Sequence, residues 1–154
     1  MILLLIALLS LSTAFADPVT SVHDGDSFTV EGNRKIRVWG IDSPELEQPY
    51  GYTARDYAQK ALTGQDVRLD CHGKTWKRDI CKVTLNGKDF GEAIVSNGLA
   101  YDSPEFSGGF YASVEKLAQE RRAGVWASGE GLKPWEFRAQ KRTTSKKSLQ
   151  APHP

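Results

Sequence analysis

Between positions 19 and 41 the chain offers three short apolar runs joined by turns too tight for anything but a meander. Residues 19–23 read as a strand that stops at Asp24-Gly25-Asp26, a turn signal. Residues 27–31 alternate Phe28 and Val30 with polar neighbours, and Gly32-Asn33 turns the chain again. Residues 35–41 form the third strand, which runs into the polar turn Asp42-Ser43-Pro44-Glu45. Strands connected this closely pair as neighbours, and a strong twist lets the meander curl toward a barrel. The Asp24-Gly25-Asp26 turn and the turn at 42–45 are separated by one strand out and one back. Asp26 and Asp42 therefore lie at the same end of the sheet although sixteen positions apart.

The remaining pattern adds two strands and three helices. A helix is expected over 53–62, with Ala54, Tyr57, Ala58, Ala61 and Leu62 on one face and Gly64 as its stop. Strands follow at 66–71 and 79–85, and Asn86-Gly87 is a strong turn signal. A short helix over 91–96 ends at Asn97-Gly98, residues 103–109 read as a loop, and a third helix covers 111–122 with Val114, Leu117 and Ala118 inward. Five short antiparallel strands with an interposed helix suggest an α+β architecture: a five-stranded barrel of the OB type with three helices. No segment repeats at a solenoid period, and nothing supports a parallel doubly wound sheet.

The ends differ from this body. Residues 1–16 carry no charge, have an apolar core over 2–9, and finish in Ala14-Phe15-Ala16, the small-x-small form of a cleavage site. They read as a signal peptide, which implies a secreted or periplasmic protein without stable membrane association once cleaved. The positive n-region of such leaders is missing, since Met1 runs straight into Ile2. Residues 17–133 then form one domain, and 134–154 a basic tail, with 134–137 able to dock and 143–154 expected to be disordered. The net charge of +1 is unevenly spread: the tail has five basic residues and one acid, leaving fifteen basic residues against eighteen acids elsewhere. A body at −3 does not hold nucleic acid by its overall field, so binding would be local or assisted by a metal or the tail. Cys71 and Cys81 are an even pair, which in an exported protein suggests a disulfide pinning two neighbouring strands if they lie opposite one another.

The polar residues at the shared rim have a chemistry. Asp26 and Asp42 make a hard-oxygen pair suited to a divalent cation such as Ca²⁺, with the Ser43 carbonyl a natural further ligand. Arg37, five positions before Asp42, and Arg78, opening the fifth strand, would suit a phosphodiester, whose charge grows in the transition state. Glu45 is a carboxylate free to take a proton from water. Taken singly, each has a plainer reading: Asp-Gly-Asp a turn, Asp42 a cap, Glu45 a turn acceptor, either arginine a solvated side chain. Trp39, Trp126 and Trp135 read as packing residues, and His23 and His72 as surface residues.

The ordered set is more specific than its parts. Asp24-Gly25-Asp26-Ser27, then Arg37-x-x-Gly40-Ile41-Asp42-Ser43-Pro44-Glu45, then Arg78 resemble the thermonuclease family, typified by staphylococcal nuclease. Asn86-Gly87-Lys88, Gly98-Leu99-Ala100 and Ala123-Gly124-Val125-Trp126 extend the resemblance over about 19–126. The resemblance implies an OB barrel with three helices. It also implies Ca²⁺ held by Asp26, Asp42 and the Ser43 carbonyl, a phosphate clamp of Arg37 and Arg78, and Glu45 as general base. Two departures stand out. Ser43 replaces the more usual Thr, and Lys74-Thr75-Trp76-Lys77 replaces an Asp-Lys/Arg-Tyr-Gly run, so that Trp76 takes the tyrosine's place beside a nucleotide base. The implied activity is calcium-dependent hydrolysis of DNA and RNA to 3′-phosphate ends, by a chain that nothing requires to be more than a monomer. The alternatives are a catalytically inactive nucleic-acid-binding OB domain and a secreted domain that binds a protein partner. The first would have lost an acid or an arginine, and all five side chains are here.

Overall fold

The computed structural model describes residues 16–75, 77–129 and 131–149; the leader up to residue 15 and Trp76 lie outside the described residues. The meander is formed by β1 (Asp17–Val22), β2 (Ser27–Val30) and β3 (Arg34–Val38). The hairpin of β5 (Asp66–Thr75) and β6 (Arg78–Leu85) extends the strand order to β3-β2-β1-β5-β6, and a two-residue β7 (Lys88–Asp89) turns back along the end of β6. β3 also pairs with β6, Ile36 against Asp79 and Val38 against Cys81, which closes the five longer strands into a ring. That pairing is parallel, whereas the sequence reading expects every neighbour to be antiparallel. The reason is topological: β3 and β6 are not joined by a hairpin, so no turn forces them to run opposite ways.

The core is the interior of this ring, with Phe28, Val30, Ile36, Val38, Val67 and Val83 all buried. Helix α1 (Gly51–Leu62) packs Ala54, Ala58 and Leu62 onto it. Helix α2 (Phe90–Ser96) does the same with Ile94 and Val95, and its first turn is capped by Asp89, whose carboxylate accepts the Glu92 amide at 3.1 Å. Two short strands, β4 (Ile41–Asp42) and β8 (Tyr101–Asp102), form a separate pair with Asp42 opposite Tyr101. The third expected strand is therefore two. β3 ends at Val38, and the chain turns at Gly40, whose φ of 74° is left-handed, before β4 begins.

Cys71 and Cys81 face one another across β5 and β6 and are joined by a disulfide. β5 is longer than the expected 66–71 because the hairpin continues past this bridge to Thr75 opposite Arg78.

Three α-helices are expected and five are present among the described residues. A short α3 (Pro104–Ser107) lies where a loop was expected, with Pro104 in its first turn. Helix α4 (Ala112–Glu120) buries Ala118 but leaves Leu117 outward at 54% exposure, against the expected inward face. The fifth, α5 (Pro134–Leu149), occupies the tail and continues through residues 143–149, where disorder was expected. Pro134 is fully buried, and Trp135 lies edge-on to Tyr101, itself edge-on to Trp126. The Lys133 amide donates to Glu136 at 3.1 Å, half of a capping box.

Candidate active site

Two turns and a hairpin build the site. Asp24 accepts the Asp26 amide at 3.0 Å, and the Asp26 carbonyl accepts the Val38 amide at 2.8 Å, so the first turn is tied to β3. Gly25 lets that turn lie against the second: a Cβ there would sit 2.4 Å from Ser43 Oγ and 2.9 Å from Ala54 Cβ. Gly51 allows α1 to start against the backbone of Glu45, whose carbonyl oxygen would be 2.0 Å from an added Cβ. The Glu45 amide also donates to Gln48 Oε1 at 2.9 Å. Small residues thus press the Asp26 turn, the 42–45 turn and α1 together.

The side chains converge on one cavity of about 450 Å³ lined by Asp24, Asp26, Arg37, Asp42, Ser43, Glu45, Arg78 and Arg138, among others. Arg37 bridges the two turns. Its Nη1 meets Asp26 Oδ2 at 2.5 Å as an ion pair, and its Nη2 donates to Asp42 Oδ1 at 2.8 Å. Asp26 Oδ2 also accepts the Ser43 amide at 2.6 Å, and Asp26 Oδ1 accepts the Ser27 hydroxyl at 3.0 Å. Arg78 enters from β6 and donates to that same Ser27 hydroxyl at 3.2 Å, so it reaches Asp26 through one intermediary. The sequence-predicted catalytic and metal-binding residues, Asp26, Arg37, Asp42, Ser43, Glu45 and Arg78, all line this cavity, while Trp76 lies outside the described residues.

Burial pushes the Asp26 carboxyl up to about 6, with Asp24 adding to the rise, although Arg37 and the Ser43 amide pull the other way. Burial disfavours the Arg37 charge too, yet Asp26, Asp42 and Asp24 around it hold its pKa above the ordinary arginine value. The cleft is thus a low-dielectric site in which acids and cations depend on each other.

The donor set fits a hard divalent cation. Asp26 and Asp42 supply carboxylates, a cation beside Asp26 would offset the burial cost of its charge, and Ser43 Oγ is buried with no hydrogen-bond partner. Among the described residues no group of three or more His, Cys, Asp and Glu side chains is arranged to hold a metal. A cation here would therefore complete its shell with backbone, water or substrate oxygens.

One member was not foreseen. Arg138, on α5, donates to Asp42 through Nη2 at 2.6 Å and Nη1 at 3.2 Å, and to Glu45 Oε1 at 2.7 Å. These bonds to Asp42 outweigh burial and, with Glu45, raise its pKa above the ordinary value. Ninety-six residues separate it from Asp42, and no local pattern announces such a contact. The nearest signal was Pro134-Trp135, which marked the start of the tail as able to dock. Phe106 of α3 is a further lining residue that was not foreseen, along with Thr75 and Ile80 of the hairpin. The tryptophans do pack: Trp126 is buried, and Trp39 lies against Tyr111 and Phe110. His23 is exposed, as expected, although its Nε2 shares a 2.7 Å hydrogen bond with the Thr29 hydroxyl.

Residues 35–128 match the family described as Staphylococcal nuclease homologue. A probable staphylococcal-like nuclease of Oryza sativa subsp. japonica is 35% identical over 119 residues, and a staphylococcal-like nuclease of Arabidopsis thaliana is 34% identical over 110. These matches take in 73% and 70% of the chain but only 23% and 34% of the plant proteins. The thermonuclease of Staphylococcus hyicus is 30% identical over 128 residues, covering 71% of the chain and 75% of that protein. With the family match covering more than half of the chain and taking in Arg37, Asp42, Glu45 and Arg78 of the cleft, the chain belongs to the staphylococcal nuclease family.

Proposed function

We propose that the protein is an endonuclease that hydrolyses phosphodiester bonds of DNA and RNA with Ca²⁺ and leaves 3′-phosphate ends. The observation that carries this reading is the convergence of Asp26, Arg37, Asp42, Glu45 and Arg78 on one cleft. Three acids and two arginines from four segments are more than a turn, a cap or a surface needs. Names of relatives support it: nuclease and thermonuclease for those above, and an uncharacterized endonuclease of Haemophilus influenzae, 27% identical over 130 residues. An inactive binding domain is disfavoured because no member of the charged set is missing.

Asp26, Asp42 and Ser43 would hold the cation, which when bound supplies positive charge to a non-bridging phosphate oxygen. The chain's own residues do the rest. Arg37, oriented by Asp42, and Arg78, oriented by Ser27, offer guanidinium N–H groups to the phosphate oxygens, whose charge grows as water adds. Glu45, at the open side of the cleft with its side chain 39% exposed, accepts a proton from the attacking water. The new O–P bond forms as the bond from phosphorus to the 5′ oxygen breaks. The leaving oxygen takes a proton from solvent, and the phosphate stays on the 3′ side. The apolar leader at 1–16 supports delivery to the periplasm or the exterior, where a disulfide persists. Among the described residues no helix is long and apolar enough to cross a membrane.

The test is incubation of purified protein with DNA and with RNA, in Ca²⁺ or in chelator. Calcium-dependent cleavage of both with 3′-phosphate products is expected. No calcium-dependent cleavage of either would overturn the reading.

A further inference from the structure

Helix α5 presents Trp135, Arg138 and Lys141, three residues apart, on one face. Each meets a different part of the body. Trp135 lies against Tyr101, ring centroids 6.0 Å apart, and Tyr101 is the β8 partner of Asp42. Lys141 reaches both carboxylate oxygens of Glu47 at 2.8 and 2.6 Å. Ahead of the helix, Gln48 Nε2 donates to the Leu132 carbonyl at 2.8 Å. Anchored on both sides, the helix delivers Arg138 between them onto Asp42 and Glu45. Both oxygens of Asp42 are then taken, Oδ1 by Arg37 and Arg138, and Oδ2 by Arg138 alone. The Arg138 side chain is 39% exposed, so it has a route out to solvent that Arg37, at 18%, lacks.

We propose that Arg138 is a built-in counter-ion of the cleft, which holds Asp42 and Glu45 in place and must leave Asp42 before a divalent cation can bind there. The proposal rests on the reading of Asp42 as a cation ligand. A divalent cation at Asp42 would need the space and lone pairs that the Arg138 guanidinium already spans across both carboxylate oxygens, and in a partly buried site its charge would repel that guanidinium at contact distance. Cation binding is therefore an exchange, and its apparent affinity is lowered by the fraction of molecules in which the guanidinium is seated. The same exchange frees Glu45 Oε1, so that one event readies the cation site and the proton acceptor together. Arg138 is on this account a positioning residue that keeps two carboxylates from repelling one another before the cation arrives.

Calorimetric titration with CaCl₂ alone, at fixed ionic strength and without nucleic acid, reads the exchange directly. Arg138→Gln is expected to bind calcium about tenfold more tightly than the wild type, the gain for a competitor seated in roughly nine molecules of ten. Arg142→Gln removes an equal charge from the same helix and controls for the general field; a change below about twofold is expected. Arg138→Lys keeps the charge but loses the two-toothed grip and should fall between. If Arg138→Gln binds calcium no more tightly than the wild type, or no more tightly than Arg142→Gln, the exchange is refuted while the nuclease reading stands. If neither the wild type nor any variant takes up calcium, the cation reading fails and the exchange with it.

Discussion

Asp26 shows how one residue can be costly to the fold and useful to the site. Its carboxylate is almost inaccessible, and Arg37, Asp24, Ser27 and the Ser43 amide face it, with Asp42 beyond Arg37. Its folded pKa of about 6 lies above the unfolded value of 3.8. Below pH 3.8 the carboxyl is neutral in both states and imposes no penalty. Between about 4 and 6 the unfolded chain loses its proton first, so this group's contribution to stability falls as pH rises and levels off above about 6. A shift of this size is worth on the order of 2–3 kcal/mol. In chelator, wild type should therefore lose stability relative to Asp26→Asn across about pH 4 to 6, measured as the difference between their denaturant unfolding curves. A constant difference across that range would show that burial does not govern the group. Asp26 was legible as a residue because Asp-Gly-Asp is a strong local pattern. Its burial was not, since that depends on Ser43 and Ala54 arriving from other segments.

At the scale of elements, the β5–β6 hairpin is the part with least support inside the ring. β5 beyond Leu69 is exposed, and its far end carries Thr75 and Arg78 into the cleft wall. The Cys71–Cys81 bridge ties that exposed arm to a fully buried partner, and the Cys81 carbonyl in turn accepts the Trp39 amide at 2.9 Å. A bridge closing so short a loop restricts the unfolded chain by about 2–3 kcal/mol. Replacing both cysteines by serine should lower unfolding stability by about that amount, read from urea unfolding free energies extrapolated to water, with a slope that rises as the unfolded chain expands. A loss under about 0.5 kcal/mol would mean the hairpin holds its register unaided. The pair was visible in sequence as two cysteines flanking a short connection between two strands; that they lie opposite one another came from the register of the hairpin. Helix α5 was not, because a polar run of Lys, Arg, Ser and Thr has no apolar face to announce it. What seats it is Pro134 and Trp135 in its first turn, and Glu47 supplied from the loop before α1.

Over the whole molecule, charge is segregated as much as structure is. The body carries an excess of acids, and the docked α5 places Arg138 in the cleft and Lys141 on Glu47, with Arg142 exposed next along the helix. A nucleic acid drawn to the site would meet these cations first, releasing counterions as it does. Replacing Lys141 and Arg142 together by glutamine should flatten the slope of log affinity against log salt for duplex DNA by about 0.9 for each phosphate that is no longer neutralised, measured in chelator so that no cleavage intervenes. An unchanged slope would remove these two residues from the nucleic-acid path. The sequence by itself determined the meander, the first and second helices, and the pairing of two acid-bearing turns at one rim. These follow from turn residues and apolar periodicity, which act over a few positions. Tertiary structure alone decided three things: the parallel closure of β3 on β6, the β4–β8 pair that holds Asp42 against Tyr101, and the seating of Arg138 on Asp42 and Glu45. Each joins segments about 40 to 100 residues apart, and such contacts are chosen by what the assembled core leaves facing what. The stretch from Arg37 to Glu45 thus carries the motif, and the fold supplies its counter-charges.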